Sequence, residues 1–235
     1  MKQWLTVLLL FCCGFSFGQI FSYPQIKTKG NSATDFIPKN WVLLDTATGD
    51  LNNDNCADLC LVVQCKDTVS LTEKDGDYTD TVLSQPRILI ITFYDPLSKQ
   101  FVLAERSNTF ILSHDNPNME EPYQGISISN KILQISFQIF MNAGGWGMSN
   151  NSYKFRYQDK EFVLIGSDYN ETNRATGEME DRSYNFLTKK VKIETGNISS
   201  DVLKAKWRSF QLPKLKTLKT FTKPFTWEVE KDYYL

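Results

Sequence analysis

The feature that most constrains this chain is its rhythm: short runs of Val, Ile, Phe, Tyr and Leu return between polar turns, while the 3.6-residue spacing of an amphipathic helix is nearly absent. An all-β protein is therefore expected, an antiparallel meander of hairpins arranged either as propeller-like units or as a sandwich, with at most one short helix. The expected strands are Trp41 to Leu44, Leu59 to Val63, Arg87 to Tyr94, Phe101 to Glu105, Gly125 to Ser129, Ile132 to Phe140, Tyr153 to Tyr157, Phe162 to Gly166, Tyr184 to Leu187 and Val191 to Glu194. Turn-forming residues separate several of them, at Tyr94 to Gln100, Ser129 to Lys131 and Tyr157 to Lys160. The strand-turn-strand unit recurs about every 30 to 35 residues, a spacing shared by propeller blades and meandering sandwiches.

Two stretches break the rhythm. Lys66 to Pro86 is polar, holds Asp67, Glu73, Asp75, Asp77 and Asp80, and reads as a long mobile loop with a solvated surface. Asp201 to Phe210 reads as the short helix, with Asp201 as N-cap and Leu203, Trp207 and Phe210 on one face.

Composition narrows the class. The chain has 235 residues, 41% hydrophobic, with 26 Lys+Arg against 27 Asp+Glu, a formal net charge of -1. That excludes disorder and collagen-like repeats, and it lacks the basic excess expected of a nucleic-acid partner. Charge is nonetheless uneven: the segment from Lys189 to Leu235 carries 11 Lys+Arg against 5 Asp+Glu, and the chain before it 15 against 22. The basic segment is expected to dock on the acidic body, with Lys214, Lys216, Lys219 and Lys223 alternating with apolar residues as on an edge strand.

The first eighteen residues have the form of an export signal. Lys2 precedes an apolar run from Trp4 to Phe17 that ends in Ser16-Phe17-Gly18, which places the cut after Gly18. A membrane anchor would need about 20 uninterrupted apolar residues, and this run is shorter and broken by Gly14 and Ser16. Lipid attachment at Cys12 or Cys13 is the lesser alternative, since the residues before each are bulky. The expected organisation is a signal peptide over 1–18 and a single β-rich domain over 19–235, periplasmic or extracellular, with no membrane span. Cys56, Cys60 and Cys65 remain after cleavage, too few and too crowded for a disulfide scaffold. On an extended strand Cys60 and Cys65 would be ~16 Å apart, beyond the ~7 Å limit for bridged Cα atoms, so only Cys56 with Cys60 could pair. Small buried thiols are the plainer reading.

One constellation carries chemistry. Asp50-Leu51-Asn52-Asn53-Asp54-Asn55-Cys56-Ala57-Asp58 puts side-chain oxygens at relative positions 1, 3, 5 and 9, with the Cys56 carbonyl at 7. A hard cation such as calcium takes six to eight oxygens, and alternating residues in a tight loop can turn them toward one centre. Three aspartates so close repel by about 4 kcal/mol per pair at 4 Å and an effective dielectric near 20, which a cation relieves. An EF-hand is excluded, because its twelfth position requires a bidentate glutamate and Leu61 stands there. The alternative is a metal-free connection whose Asp and Asn side chains cap their own backbone.

The stretch from Gly49 to Leu59 resembles the calcium loop of FG-GAP or VCBS-type repeats, the blade units of integrin-like propellers, in a single copy. The resemblance implies a loop joining two strands of a blade, with calcium held by the side chains of Asp50, Asn52, Asp54 and Asp58 and the carbonyl of Cys56. The family usually has Gly where Asn55 stands, and Asn tolerates the left-handed backbone such a turn needs.

Other candidates are weaker. His114, the only histidine, lies beside Ser113 and Asp115, but a catalytic triad must converge from separate places in a fold. Glu178, Glu180 and Asp181 with Glu120 and Glu121 offer carboxylates for a glycosidase pair, with nothing to fix their separation. Asn142 to Asn150 is Gly-rich without the lysine and helix of a phosphate cradle. Its Trp146 is either displayed to a protein or carbohydrate ligand or folded onto the sheet beneath it. The expected function is a calcium-stabilised binding or structural module. An extracytoplasmic hydrolase and an accessory or inhibitor protein presenting Trp146 are the alternatives.

Overall fold

The computed structural model describes residues 21–75 and 78–235. The export segment read over residues 1–18, with Cys12 and Cys13, lies outside the described residues. Among the described residues no helix is long and apolar enough to cross a membrane.

Extended backbone dominates. The first seven strands are β1 (Lys29–Gly30), β2 (Trp41–Gly49), β3 (Asp58–Cys65), β4 (Val69–Asp75), β5 (Tyr78–Ser84), β6 (Arg87–Asp95) and β7 (Gln100–Ser107). The next seven are β8 (Tyr123–Ser129), β9 (Ile132–Phe140), β10 (Gly147–Gln158), β11 (Glu161–Asn173), β12 (Glu178–Asn185), β13 (Lys190–Asn197) and β14 (Ser200–Ser209), followed by a small pair, β15 (Glu228–Glu230) and β16 (Tyr233–Tyr234). A 3-10 turn covers Ala33–Phe36. Nine of the ten expected strands fall within one of these; the tenth, Tyr184 to Leu187, overlaps only the end of β12, since Phe186 and Leu187 lie in the turn that follows. The expected turns close the β6–β7, β8–β9 and β10–β11 hairpins, with Lys99, Asn130, Lys131, Asp159 and Lys160 in the left-handed conformation that tight turns demand.

Two expected local structures are corrected first. The polar stretch Lys66 to Pro86 is not a loop: β4 and β5 pair antiparallel from Val69 with Ser84 to Asp75 with Tyr78. Val69, Leu71, Val82 and the intervening threonines favour a pleated backbone, and that preference prevails over the polarity of the segment. Asp201 to Phe210 is not a helix, because Ser200–Ser209 is the strand β14, paired along β13.

The strands form two main antiparallel sheets, one ordered β1-β7-β6-β3-β2 and one ordered β14-β13-β12-β11-β10-β9-β8. The second is an unbroken meander of seven consecutive strands. The sheets share one core: Cys60, Val62, Leu89 and Ile91 of the first are buried together with Leu133, Ile135, Phe137, Tyr153, Phe155 and Leu164 of the second. Phe110, from the connection between the sheets, sits at the centre with its ring edge-on to Tyr153, Phe155 and Phe221 at 5.2–5.5 Å. The opposite face of the five-stranded sheet is covered as well, since Leu59, Leu61, Val63, Ile88, Ile90 and Trp41 of β2 are buried together with Ile26 and Phe36 from the N-terminal segment.

The basic C-terminal segment docks on the body through its apolar residues. Leu212, Leu218, Phe221, Val229 and Leu235 enter the shared core. The lysine-bearing stretch is not the edge strand expected; it makes a single bridge, Thr217 with Val163, where the β11–β12 ladder has ended. Lys219 pairs with Glu105 at 3.4 Å.

Candidate functional site

The Asp50–Asp58 loop joins two adjacent antiparallel strands, and the β2–β3 ladder closes at Gly49 with Asp58. Leu51 pins the loop from within, 1% exposed in the shared core. Asn53 and Asn55 take φ of 67° and 65°, the left-handed geometry that asparagine accepts. The side-chain oxygens then cap the turn. Asp50 Oδ1 accepts from the Asn53 and Asp54 amides at 2.7 and 3.2 Å, and its Oδ2 from the Asn55 amide at 3.2 Å. Asp54 Oδ1 accepts from the Cys56 amide at 2.7 Å, while Asn52 Nδ2 donates to Asp54 Oδ2 at 2.9 Å.

Asp58 plays a different part. It is fully buried, its Oδ2 accepting from the Leu51 and Asn52 amides at 2.7 and 3.3 Å and its Oδ1 from the Tyr94 amide at 3.0 Å. Burial raises its pKa, and the three amides offset only part of that effect. Asp58 thus ties the start of β3 to its own loop and to β6. Lys131, at the β8–β9 turn, reaches Asn53 Oδ1 and connects the loop to the second sheet.

The donor chemistry at Asp50, Asn52, Asp54 and the Cys56 carbonyl is the all-oxygen set a hard cation takes. The anions also lie within electrostatic reach of one another: burial, then the charges of Asp54, Asp58 and Asp50, push the Cys56 thiol up. They do not converge as they stand, for among the described residues no three His, Cys, Asp or Glu are gathered closely enough to hold an ion. Asp50 and Asp54 face their own amides, and Asp58 is turned inward.

Trp146 lies elsewhere. It is 66% exposed, on a loop tied down by Arg174, which donates from its amide to the Trp146 carbonyl at 2.8 Å and from its guanidinium to the Met141 and Gly145 carbonyls. The Lys131 contact to the Asp50–Asp58 loop is at one end of β9 and the Trp146 loop at the other, separated by about 30 Å of extended chain at ~3.3 Å per residue. The structure does not bring these two candidates together.

Cys56, Cys60 and Cys65 are free thiols, and burial pushes Cys60 far above the ordinary thiol range. His114 is exposed, with Nε2 2.6 Å from the Met119 carbonyl. Of the carboxylates considered for acid/base work, Glu121 is bound in bidentate fashion by Arg87 at 2.7 and 2.8 Å, Glu180 accepts from Arg182 and from the Tyr233 hydroxyl, and Glu178 from Thr176.

Sequence reasoning missed the Arg182 cluster. Arg182 is 6% exposed, bonded to Glu180 and Glu230, with its guanidinium carbon 3.2 Å from the centre of the Tyr233 ring. Tyr184 donates to Glu230 at 3.0 Å, and Arg208 bonds the other oxygen of that glutamate. The available signal was an arginine two residues before Tyr184, at an inward position of a strand.

Set against models of known protein families, curated proteins and solved structures, the chain matches none of them.

Proposed function

We propose that the protein is an extracytoplasmic β-rich binding or structural module whose Asp50–Asp58 loop is stabilised by calcium. The observation that carries this reading is the division of labour within the loop. Leu51 and Asp58 anchor it from inside, Asn53 and Asn55 turn it, and Asp50, Asn52 and Asp54 keep their oxygens at its half-buried to exposed side. Asp50, Asn52, Asp54 and the Cys56 carbonyl would hold the ion, with Asp58 bracing them. Bound there, calcium neutralises clustered anions and so fixes the turn between β2 and β3. Extracellular calcium sites work at dissociation constants of about 0.1–1 mM, which an exported protein can exploit. The exposed Trp146 loop supports the binding half of the reading, as a surface for a protein or carbohydrate ligand.

A thermal melt in 10 mM calcium and in chelator, on the wild type and on Asp54→Ala, tests the loop. Calcium is expected to raise the wild-type Tm by about 5 °C and to leave the variant unmoved. Equal melting of the wild type under both conditions would remove the ion from the account.

A further inference from the structure

Beside the calcium loop and the Trp146 loop, the molecule has a third candidate for binding, a cavity of about 560 Å³ on the inner face of the seven-stranded sheet. Along that face Tyr169 of β11 stands opposite Arg182 of β12, which stands opposite the core residue Ile193 of β13. One step further along, Glu171 faces Glu180, outside the core. Five aromatic side chains wall the cavity: Tyr169, Tyr184, Phe225, Tyr233 and Tyr234. Tyr184 is buried, but the other four are half-buried or exposed, so a ligand can reach their rings. Glu171 and Asp232, both exposed, complete the polar part of the wall.

Three of the tyrosine hydroxyls are already engaged. Tyr169 donates to Glu171, Tyr184 to Glu230 at 3.0 Å and Tyr233 to Glu180 at 2.9 Å. A phenol that donates to a carboxylate has a more electron-rich ring, so these walls offer a ligand negative ring faces. The charges around the cavity do not cancel. Arg182 and Arg208 are matched by Glu180 and Glu230, whereas among the described residues neither Glu171 nor Asp232 has a Lys or Arg partner. Glu171 also stands directly across the ladder from Glu180, a like-charge pairing that destabilises the sheet. Burial, then the hydrogen bond and charge of Glu171 with the charge of Glu180, push the Tyr169 hydroxyl up. The lysines of β14 on this side, Lys204 and Lys206, are exposed and line no part of the cavity.

We propose that this cavity binds a small ligand carrying a quaternary ammonium group. Ring faces attract a methylated cation, and the two unmatched carboxylates supply its counter-charge. A primary ammonium brings three N–H donors that ring faces leave unpaired, and a hard metal ion takes a shell of oxygens rather than rings. An anion is repelled, and a neutral ligand gains nothing from the charge. One ring of the cavity already holds a cation, since the guanidinium carbon of Arg182 lies 3.2 Å from the centre of Tyr233. That contact takes one face of Tyr233, which leaves Tyr169, Tyr234 and Phe225 to receive the ligand beside Glu171 and Asp232. The volume is within the range of small-molecule pockets. This site shares no residue with the calcium loop and does not depend on it.

The test is calorimetric titration of the full chain with choline, run in chelator so that the calcium loop takes no part. Comparison ligands are the uncharged analogue of choline in which carbon replaces the nitrogen, and potassium chloride at equal ionic strength. Choline is expected to bind saturably, about tenfold more tightly than the uncharged analogue, and potassium chloride to give no saturable heat. The double variant Glu171→Gln/Asp232→Asn, which keeps the shape of both side chains and removes their charge, should weaken choline about tenfold. Tyr234→Leu should weaken it about threefold, as loss of one exposed ring does. Asp159→Asn, the same charge change at the far β10–β11 turn, should bind as the wild type does. All four substitutions are at exposed positions, so folding is not at stake. No saturable binding of choline, equal binding of the uncharged analogue, or full-strength binding by the double variant or by Tyr234→Leu would overturn the proposal. Sedimentation with phosphatidylcholine vesicles then separates two sources of the same group. Co-sedimentation that the double variant loses assigns it to a lipid headgroup; choline binding without co-sedimentation assigns it to a free solute, and both uphold the site.

Discussion

The two sheets solve the same burial problem differently. In the five-stranded sheet the inner strands are apolar without interruption, Leu59 to Val63 in β3 and Ile88 to Ile91 in β6, and every one of these residues is buried. In the seven-stranded sheet β9 alternates, with Leu133, Ile135 and Phe137 inside and Gln134, Ser136 and Gln138 only partly covered. An antiparallel strand alternates when one face meets water and runs apolar when both faces are covered. The difference teaches that the N-terminal segment carrying Ile26 and Phe36 acts as a third layer, placed over one sheet only. The far edge of the meander is the opposite extreme: β14 is exposed along its whole length, Val202 and Trp207 included.

The contrast can be broken most severely at Leu61, which is fully buried beneath that third layer. Leu61→Ala is expected to cost about 2–5 kcal/mol in urea unfolding. A cost under about 1 kcal/mol would mean that the cover over the five-stranded sheet contributes little. Glu121 comes next, since Arg87, 4% exposed on β6, holds it at the start of the second sheet. Burial opposes ionisation of Glu121, yet the Arg87 bonds prevail and its pKa is lowered. A lowered carboxylate pKa gives stability that is complete above the unfolded value and is lost as pH falls through the folded one. Glu121→Gln should therefore cost about 1 kcal/mol at neutral pH, tempered because Glu121 is nearly half exposed, and should flatten the acid limb of a stability–pH profile. An unchanged acid limb would dissociate this pair from the joining of the sheets. The smallest effect belongs to β14, where Trp207→Ala should stay within about 0.5 kcal/mol. A larger loss would show that this strand is covered in solution.

Most strands were legible because their apolar runs are long and turn residues bound them. Where the reading failed, two periods fitted one segment. Leu203, Trp207 and Phe210 fall on a helical face, but Leu203 and Trp207 also serve the strand β14, which ends just before Phe210, and pairing along β13 decided the outcome. The polarity of Lys66 to Pro86 concealed the β4–β5 hairpin, whose stability comes from a partner strand rather than from a core pattern. At the candidate site, spacing identified the loop, and the family resemblance implied the left-handed backbone that Asn55 takes. It placed Asp58 among equals, whereas the fold turns it inward onto the amides of Leu51, Asn52 and Tyr94. The aromatic cavity had no signal at all, because Tyr169, Tyr184, Phe225 and Tyr234 come from four separate stretches of the chain.

Local chemistry reaches only a few residues along a chain. It settled the β class, the hairpin turns and the aspartate-rich loop, each written in neighbouring side chains. Which faces are covered, where the basic segment rests, and which carboxylates are left without a cationic partner depend on contacts between distant segments. Those contacts are set when two sheets and their flanking chain compete to exclude water from one core, and only the tertiary structure records the result.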